Sequence, residues 1–181
     1  MTIGVKQILD YDDYAAIPPD GKRYELLEGD VYVTPAPSPR HQWSSKKLQR
    51  QLEEYFETRA LGQVFNAPID VILTPHDVVQ PDLVVVANPG QISARGIEGS
   101  PLLLVEVLSP STVAYDRATK SRRYAALEVP HLWFLDPVDR RLECFRLEVG
   151  QWRLALEGSH DQVVEHPDWP DLRLRLGDLW M

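Results

Sequence analysis

Cysteine is nearly missing from this chain. Cys144 is the only one in 181 residues, so no intrachain disulfide can form and a disulfide-stapled scaffold is excluded. Cys144 has no His or Cys neighbour in the sequence and reads as a small core residue. Long hydrophobic runs are also lacking. The longest, Leu102–Val105 and Leu83–Ala87, fall far short of the ~20 residues that span a bilayer, so no membrane partner is expected. The opening stretch, MTIGVKQILDYDDY, has no basic start followed by an apolar segment, so no signal peptide and a cytoplasmic location are expected. Basic charge is scarce: 19 bases face 27 acids, a net charge of −8. That balance argues against a dedicated nucleic-acid binder on bulk charge, while leaving local patches open. Glycine-rich phosphate loops, a G-x-S-x-G elbow and paired Cys-x-x-Cys are all absent. His131, His160 and His166 lack the spacing of metal ligands, and the five tryptophans are scattered as packing residues would be.

What remains is an ordinary globular composition, 44% hydrophobic and 25% charged, in the length range of one domain. Residues 1–181 are expected to form a single domain. Ile8–Tyr14 reads as a short helix. Tyr24–Glu28 and Val31–Val33 flank Gly29-Asp30 as a β-hairpin. The prolines of the stretch 34–39 then force a loop. His41–Ala60 carries apolar residues at three- and four-residue steps and reads as the clearest helix. Val64–Leu73 is a strand interrupted at Pro68, Val78–Ala87 a second strand, and Asn88–Pro101 a long loop. Leu102–Leu108 is apolar on both faces except at Glu106, the pattern of a covered central strand. A hydroxyl-capped helix over Val113–Leu127 follows, then a strand at His131–Leu135. A hairpin about Gly150 and an edge strand alternating Leu172, Leu174 and Leu176 with arginines end the chain. The fold expected is α/β (or α+β), with a mixed sheet flanked by helices.

Two acids stand out. Asp82 follows Pro81 inside one apolar strand, and Glu106 lies inside another. Desolvating an unpaired carboxylate costs several kcal/mol or more, so something must compensate. A divalent cation shared between neighbouring strands is one answer, with Mg²⁺ favouring such oxygen ligands. Pairing of each acid with an arginine, or capping of a loop, is the other. Asp116, Lys120 and Tyr124 follow at four-residue steps and share one drifting helix face. That stripe either serves the acids or forms a surface ion pair worth about 0.3–0.5 kcal/mol.

Taken together, Val79-Gln-Pro-Asp82, Val105-Glu-Val-Leu-Ser-Pro-Ser-Thr112, Asp116-xxx-Lys120-xxx-Tyr124 and Trp133-Phe-Leu-Asp136-Pro137 resemble the bacterial Uma-type family of restriction-endonuclease-like proteins, within the PD-(D/E)XK nuclease superfamily. Tyr24-Glu-Leu-Leu-Glu-Gly29 and the Pro-Ser-Pro-xx-His41 entry to the first long helix are similar too. The resemblance, which runs over about residues 20–150, implies a restriction-endonuclease-like core there of helix, three strands, helix and strand, with an N-terminal hairpin and C-terminal antiparallel strands. It implies Asp82 and Glu106 as metal-binding acids, with the Val107 carbonyl as a third ligand. The superfamily lysine should stand two residues after Glu106, where this chain has Leu108; Lys120 on the next helix matches the displaced position. Glu25 joins the catalytic set as a further metal-binding or water-positioning acid, and His41 enters as an accessory residue that could bind phosphate at a helix N-terminus, with Ser109, Asp116 and Tyr124 beside it. Glu25 could instead sit on an exposed hairpin, His41 could be merely solvated, and Ser109 could be a helix cap.

The function so implied is Mg²⁺- or Mn²⁺-dependent hydrolysis of DNA phosphodiesters, by analogy as a homodimer. A catalytically inactive module that binds nucleic acid or a protein is the alternative, and a hydrolase of another phosphoester would use the same residues. Two basic groups, Arg40, Lys46, Lys47 and Arg50, then Arg117, Lys120, Arg122 and Arg123, are expected to flank one cleft and give weak, salt-sensitive DNA binding.

Overall fold

The computed structural model describes residues 7–181; residues 1–6, which begin the segment read as lacking a signal peptide, lie outside the described residues. Asp10 opens the first helix, α1 (Tyr11–Ala15), by accepting the amides of Asp12 and Asp13, which satisfies donors that a helix start leaves orphaned. The expected hairpin follows as β1 (Arg23–Leu27) and β2 (Asp30–Thr34), turned at Glu28 and Gly29, both left-handed. A side chain on Gly29 would strike Ile8 at 2.4 Å, so this turn requires glycine.

The long helix, α2 (Pro39–Phe56), begins earlier than expected because the Ser38 hydroxyl accepts the His41 amide. Pro39 fits the first turn, where its missing N–H is no loss. The helix stops at Phe56 rather than Ala60, since Ala60 turns left-handed and the Leu61 amide closes back on the Phe56 carbonyl at 2.8 Å. Strands β3 (Gln63–Asn66), β4 (Val71–Thr74), β5 (Asp77–Val79) and β6 (Leu83–Val86) follow. Val78–Ala87 is therefore not one strand. Pro81 cannot donate to a ladder, and the chain leaves one sheet at Val79 and enters another at Leu83. Asn88–Pro101 is not all loop either: it contains β7 (Ile92–Ser93) and β8 (Gly96–Glu98), paired antiparallel. Next comes β9 (Leu103–Val107), then a helical run over 113–126 with a π-turn at Tyr115–Lys120 and an α segment, α3 (Ser121–Ala126). β10 (His131–Asp136), β11 (Arg141–Glu148), β12 (Gln151–Ser159), β13 (Val163–Glu165) and β14 (Arg173–Arg175) complete the strands, and a short 3-10 turn at Leu176–Leu179 follows.

The strands make two six-stranded sheets, ordered β2-β1-β5-β4-β8-β7 and β12-β11-β10-β9-β6-β3, and a separate pair, β13-β14. In the second sheet β9 and β10 run parallel, the rest antiparallel. The Leu172, Leu174 and Leu176 strand pairs only with β13, so it is not an edge of a large sheet. Its alternation is nevertheless as read, with the leucines buried and the arginines exposed.

Alternation also assigns the two faces of the second sheet. Leu103, Val105, Val107, Trp133 and Leu135 face α2 and the C-terminal leucines, through Leu48, Leu52, Phe56, Leu172 and Leu174. Leu104, Leu108, Leu132 and Phe134 face Tyr124 of α3 and Leu27, Val71 and Val79 of the first sheet. Each such fully buried side chain contributes roughly 1.5–3 kcal/mol relative to exposure. Cys144 is fully buried in the first of these clusters, as expected. Among the described residues no helix is long and apolar enough to cross a membrane.

Candidate active site

The site forms where the two sheets meet, and strand register explains why. Leu83 of β6 pairs antiparallel with Val105 of β9. One step back from Leu83, Asp82 comes opposite Glu106. Directly opposed residues hold their Cβ atoms about 4.5–5.5 Å apart on one face, and both acids line one cavity of about 270 Å³. The same Gln80-Pro81-Asp82 corner passes β1, where the Gln80 amide donates to Glu25 Oε1 at 2.8 Å. A single bend thus brings an acid from each sheet to the same place.

Asp82 Oδ2 accepts the Val107 amide at 2.8 Å and lies 3.3 Å from His41 Nε2. Glu106 is 3% exposed, and its hydrogen bonds gather on Oε1: the Tyr124 hydroxyl donates at 2.7 Å and Lys120 Nζ at 3.2 Å. Lys120, also 3% exposed, sits 2.9 Å from Glu25 Oε1 and 3.6 Å from Asp116 Oδ1. Asp116, Lys120 and Tyr124 therefore all turn inward, and the surface-pair alternative does not hold. The π-turn assists here. Closing i to i+5 rather than i to i+4, it offsets the angular drift that a plain α-helix accumulates along this stripe. Leu108 is core, and Lys120 reaches Glu106 from the following helix instead.

Glu25 is 1% exposed rather than on an open hairpin; the Thr34 hydroxyl donates to its Oε2 at 3.4 Å. Ser109 lines the cavity, but it does not cap: no side chain caps the π-turn, and the Ser109 hydroxyl bonds those of Ser111 and Thr112 at 3.0 and 2.9 Å. Val107 also borders the cavity, where its amide is what holds Asp82.

The cage contains more carboxylate than ammonium, and its proton affinities follow. Burial pushes Glu106 well above the usual carboxylate range; Lys120 opposes this, while Asp116, Glu25 and Asp82 add to it. Burial raises Asp116 as well. For Lys120 burial works downward, but Glu106, Glu25 and Asp116 outweigh it and hold the ammonium well above its ordinary value. Both directions have one source, because excess negative charge in a desolvated site favours a proton on every group. The same field favours a cation. Burial and the neighbouring carboxylates likewise hold the Tyr124 hydroxyl protonated, as a donor to Glu106 must be.

The second basic group does not form a free cleft wall. Lys120 is inside the cage, Arg122 donates to Glu28 at 2.8 Å, and Arg123 grips Asp77 with two bonds of 2.7 and 2.6 Å. Arg117 is bonded to Glu143. The α2 group stays available: Arg40, Lys46 and Arg50 are exposed. Lys46 borders a neighbouring cavity of about 580 Å³ that shares Arg23, His41 and Asp82 with the acidic one. Arg23 was not singled out from the sequence. Gln80 holds its guanidinium by two bonds, of 3.1 and 2.9 Å, at the wall of both cavities. The only sequence signal was its position two residues before Glu25, which places both side chains on one face of β1.

The arrangement is a mixed α+β fold with a carboxylate- and lysine-lined cavity where its two large sheets meet. An Anabaena variabilis protein of known structure, described as “a putative nuclease belonging to DUF820”, shares the fold with a TM-score of 0.74 at 17% identity, covering 94% of this chain and 97% of that one. The chain matches the Uma2 family, described as “Putative restriction endonuclease”, over residues 11–177, and it belongs to that family. It is also 30% identical over 105 residues to the Synechocystis protein slr1290, named “Uncharacterized protein slr1290”; the match takes in 58% of this chain and 55% of that protein, so the chain spans about half the length of this relative.

Proposed function

We propose that the protein is a divalent-metal-dependent endonuclease that hydrolyses DNA phosphodiester bonds, with Asp82 and Glu106 as metal ligands, Lys120 as the catalytic cation and Glu25 and Asp116 as its positioning residues. The observation that carries this reading is the convergence of Asp82, Glu106 and Lys120 on one cavity. The donor set fits a hard cation. The hydrogen bonds to Glu106 fall on Oε1 and those to Asp82 on Oδ2, which leaves Glu106 Oε2 and Asp82 Oδ1 as carboxylate oxygens for Mg²⁺ or Mn²⁺. The Val107 carbonyl would complete a three-oxygen set.

A bound divalent ion would supply Lewis-acid polarisation of the phosphate and favour ionisation of an attacking water. The chain's own groups do the rest. Lys120 keeps its positive charge beside Glu106 and stabilises the added negative charge of the transition state. Glu25 and Asp116 fix the ammonium against rotation, and Tyr124 fixes the carboxylate it faces. His41 holds Asp82 from the first turn of α2. Arg23 and Lys46 extend the site toward the neighbouring groove, where they would meet backbone phosphates on either side of the cut. Binding through so few phosphate contacts is weak and salt-sensitive.

The experiment is nicking of supercoiled plasmid with Mg²⁺ or Mn²⁺ by the wild-type chain, Glu106→Gln and Lys120→Met. Wild-type activity should fall on the order of 10²–10³-fold or more in either variant. Activity that persists in Glu106→Gln would overturn the assignment. Metal binding without nicking in the wild type would favour the alternative of an inactive binding module.

A further inference from the structure

A second polar cluster lies on the opposite face of the same sheet, away from the acidic cavity. His131 opens β10, while His166 and Asp168 belong to the loop joining β13 to β14. One ligand atom from each lies within 4.8 Å of the other two. His131 Nδ1, His166 Nε2 and Asp168 Oδ2 are all buried, and none has a hydrogen-bond partner among the described residues. His166 is 1% exposed. Buried polar atoms are nearly always satisfied, so an orphan on each of three residues whose ligand atoms lie within 4.8 Å of one another calls for a missing partner. A cation satisfies all three once the His166 ring proton leaves Nε2, so that each then offers a lone pair.

We propose that His131, His166 and Asp168 form a site for a divalent cation of the zinc class, which staples the β13–β14 loop to β10. Two imidazoles and one carboxylate are a donor set that zinc takes readily, whereas Mg²⁺ prefers oxygen alone. Zinc–donor bonds run about 2.0–2.2 Å, and three donor atoms within 4.8 Å of one another can share one such ion. The surroundings hold the ligands in place. Trp133 stacks on His166 at 5.2 Å, and Trp169 packs at 4.4 Å from both imidazoles. Arg146 donates to Asp168 Oδ1 at 2.7 Å, orienting the carboxylate with Oδ2 inward, as outer-shell partners of metal ligands do. One bond must be given up: the Asp168 amide donates to His166 Nδ1 at 3.2 Å. This places the neutral ring's proton on Nε2, so loading moves that proton to Nδ1 or releases it. The chain cannot cross-link itself by a disulfide, and this cation would supply the equivalent restraint.

The test is Co²⁺ and Zn²⁺ titration of the full chain in the Glu106→Gln background, so that the acidic cavity does not compete. Expected are one equivalent of Co²⁺ with the intense visible bands of a four-coordinate site, displacement by Zn²⁺, and a rise in Tm with either ion. His131→Gln and Asp168→Asn should each abolish the bands. Weak bands of an all-oxygen, aquated ion, or strong bands that persist in both variants, would overturn the proposal. Should a variant not fold, the unsubstituted pair decides: Zn²⁺ must shift the His131 and His166 ring resonances together, and unshifted resonances would overturn it.

Discussion

The second sheet carries two polar sites built on opposite principles. Glu106 sits near the end of β9, on the face shared with Leu104 and Leu108; His131 starts β10, on the face shared with Trp133 and Leu135. At the first site every buried charge has a partner: Lys120 is tied to Glu106, Glu25 and Asp116, and Tyr124 to Glu106. At the second, aromatic packing fixes the ligands while three polar atoms have none. Charge thus holds one site together and shape the other. The difference teaches what each tolerates. A charge-held site fails when its counterion is removed, whereas a shape-held site fails when its rings take up protons.

The largest test of that contrast is Lys120→Met. Removing the ammonium leaves buried carboxylates uncompensated, and stability measured by urea unfolding near neutral pH should fall by about 3–5 kcal/mol. A loss within the range of a surface substitution would mean that the cage is not charge-held. Glu106→Gln should behave differently. Burial and its acidic neighbours make ionised Glu106 costly, so the neutral amide should leave stability unchanged or higher while nicking is lost.

Acid should single out the aromatic site. Burial and, secondarily, His131 and Arg146 hold His166 down, from its ordinary 6.5 to about 4, against an opposing pull from Asp168. Because the folded pKa is depressed, the unfolded chain takes up the proton first. His166 therefore contributes stability fully above its ordinary value, and this is lost as pH falls toward 4, by up to about 3 kcal/mol. Urea midpoints of the chelated protein should show this slope, and His166→Gln should flatten it.

The smallest expected effect belongs to the acidic cavity. Burial raises both Glu106 and Asp116 from their ordinary values, so protons compete with a cation for these carboxylates. Mn²⁺ affinity measured by calorimetry should tighten as pH rises, by up to about tenfold per unit while one proton is displaced. Affinity that is flat across that range would remove protonated carboxylates from the account.

Much of the candidate site was legible in the sequence. A charge inside an apolar strand is costly enough to be visible without coordinates, and this marked Asp82 and Glu106. The four-residue spacing of Asp116, Lys120 and Tyr124 marked a shared helix face. Less legible was everything that depends on a change of sheet. Val78–Ala87 reads as one strand because its apolar pattern continues through Gln80-Pro81-Asp82, and only the bend there brings Glu25 of the first sheet to Lys120. Arg23 was invisible for the same reason, since its anchor, Gln80, belongs to that bend. The basic residues of the second helix looked free because sequence does not show that Asp77, Glu28 and Glu143 lie beside them.

By itself the sequence determined the composition of the core, the lack of any disulfide, the alternation that buries one side of each strand, and the identity of the residues too costly to bury without a purpose. These follow from local periodicity and from the energetics of single groups. Tertiary structure alone decided which of those residues meet. Register set Asp82 across from Glu106, and a π-turn aimed Lys120. A loop more than 30 residues downstream placed His166 and Asp168 against His131, although the spacing of the two histidines had argued against a common site. Such meetings depend on long-range closure of the chain, which no local pattern encodes.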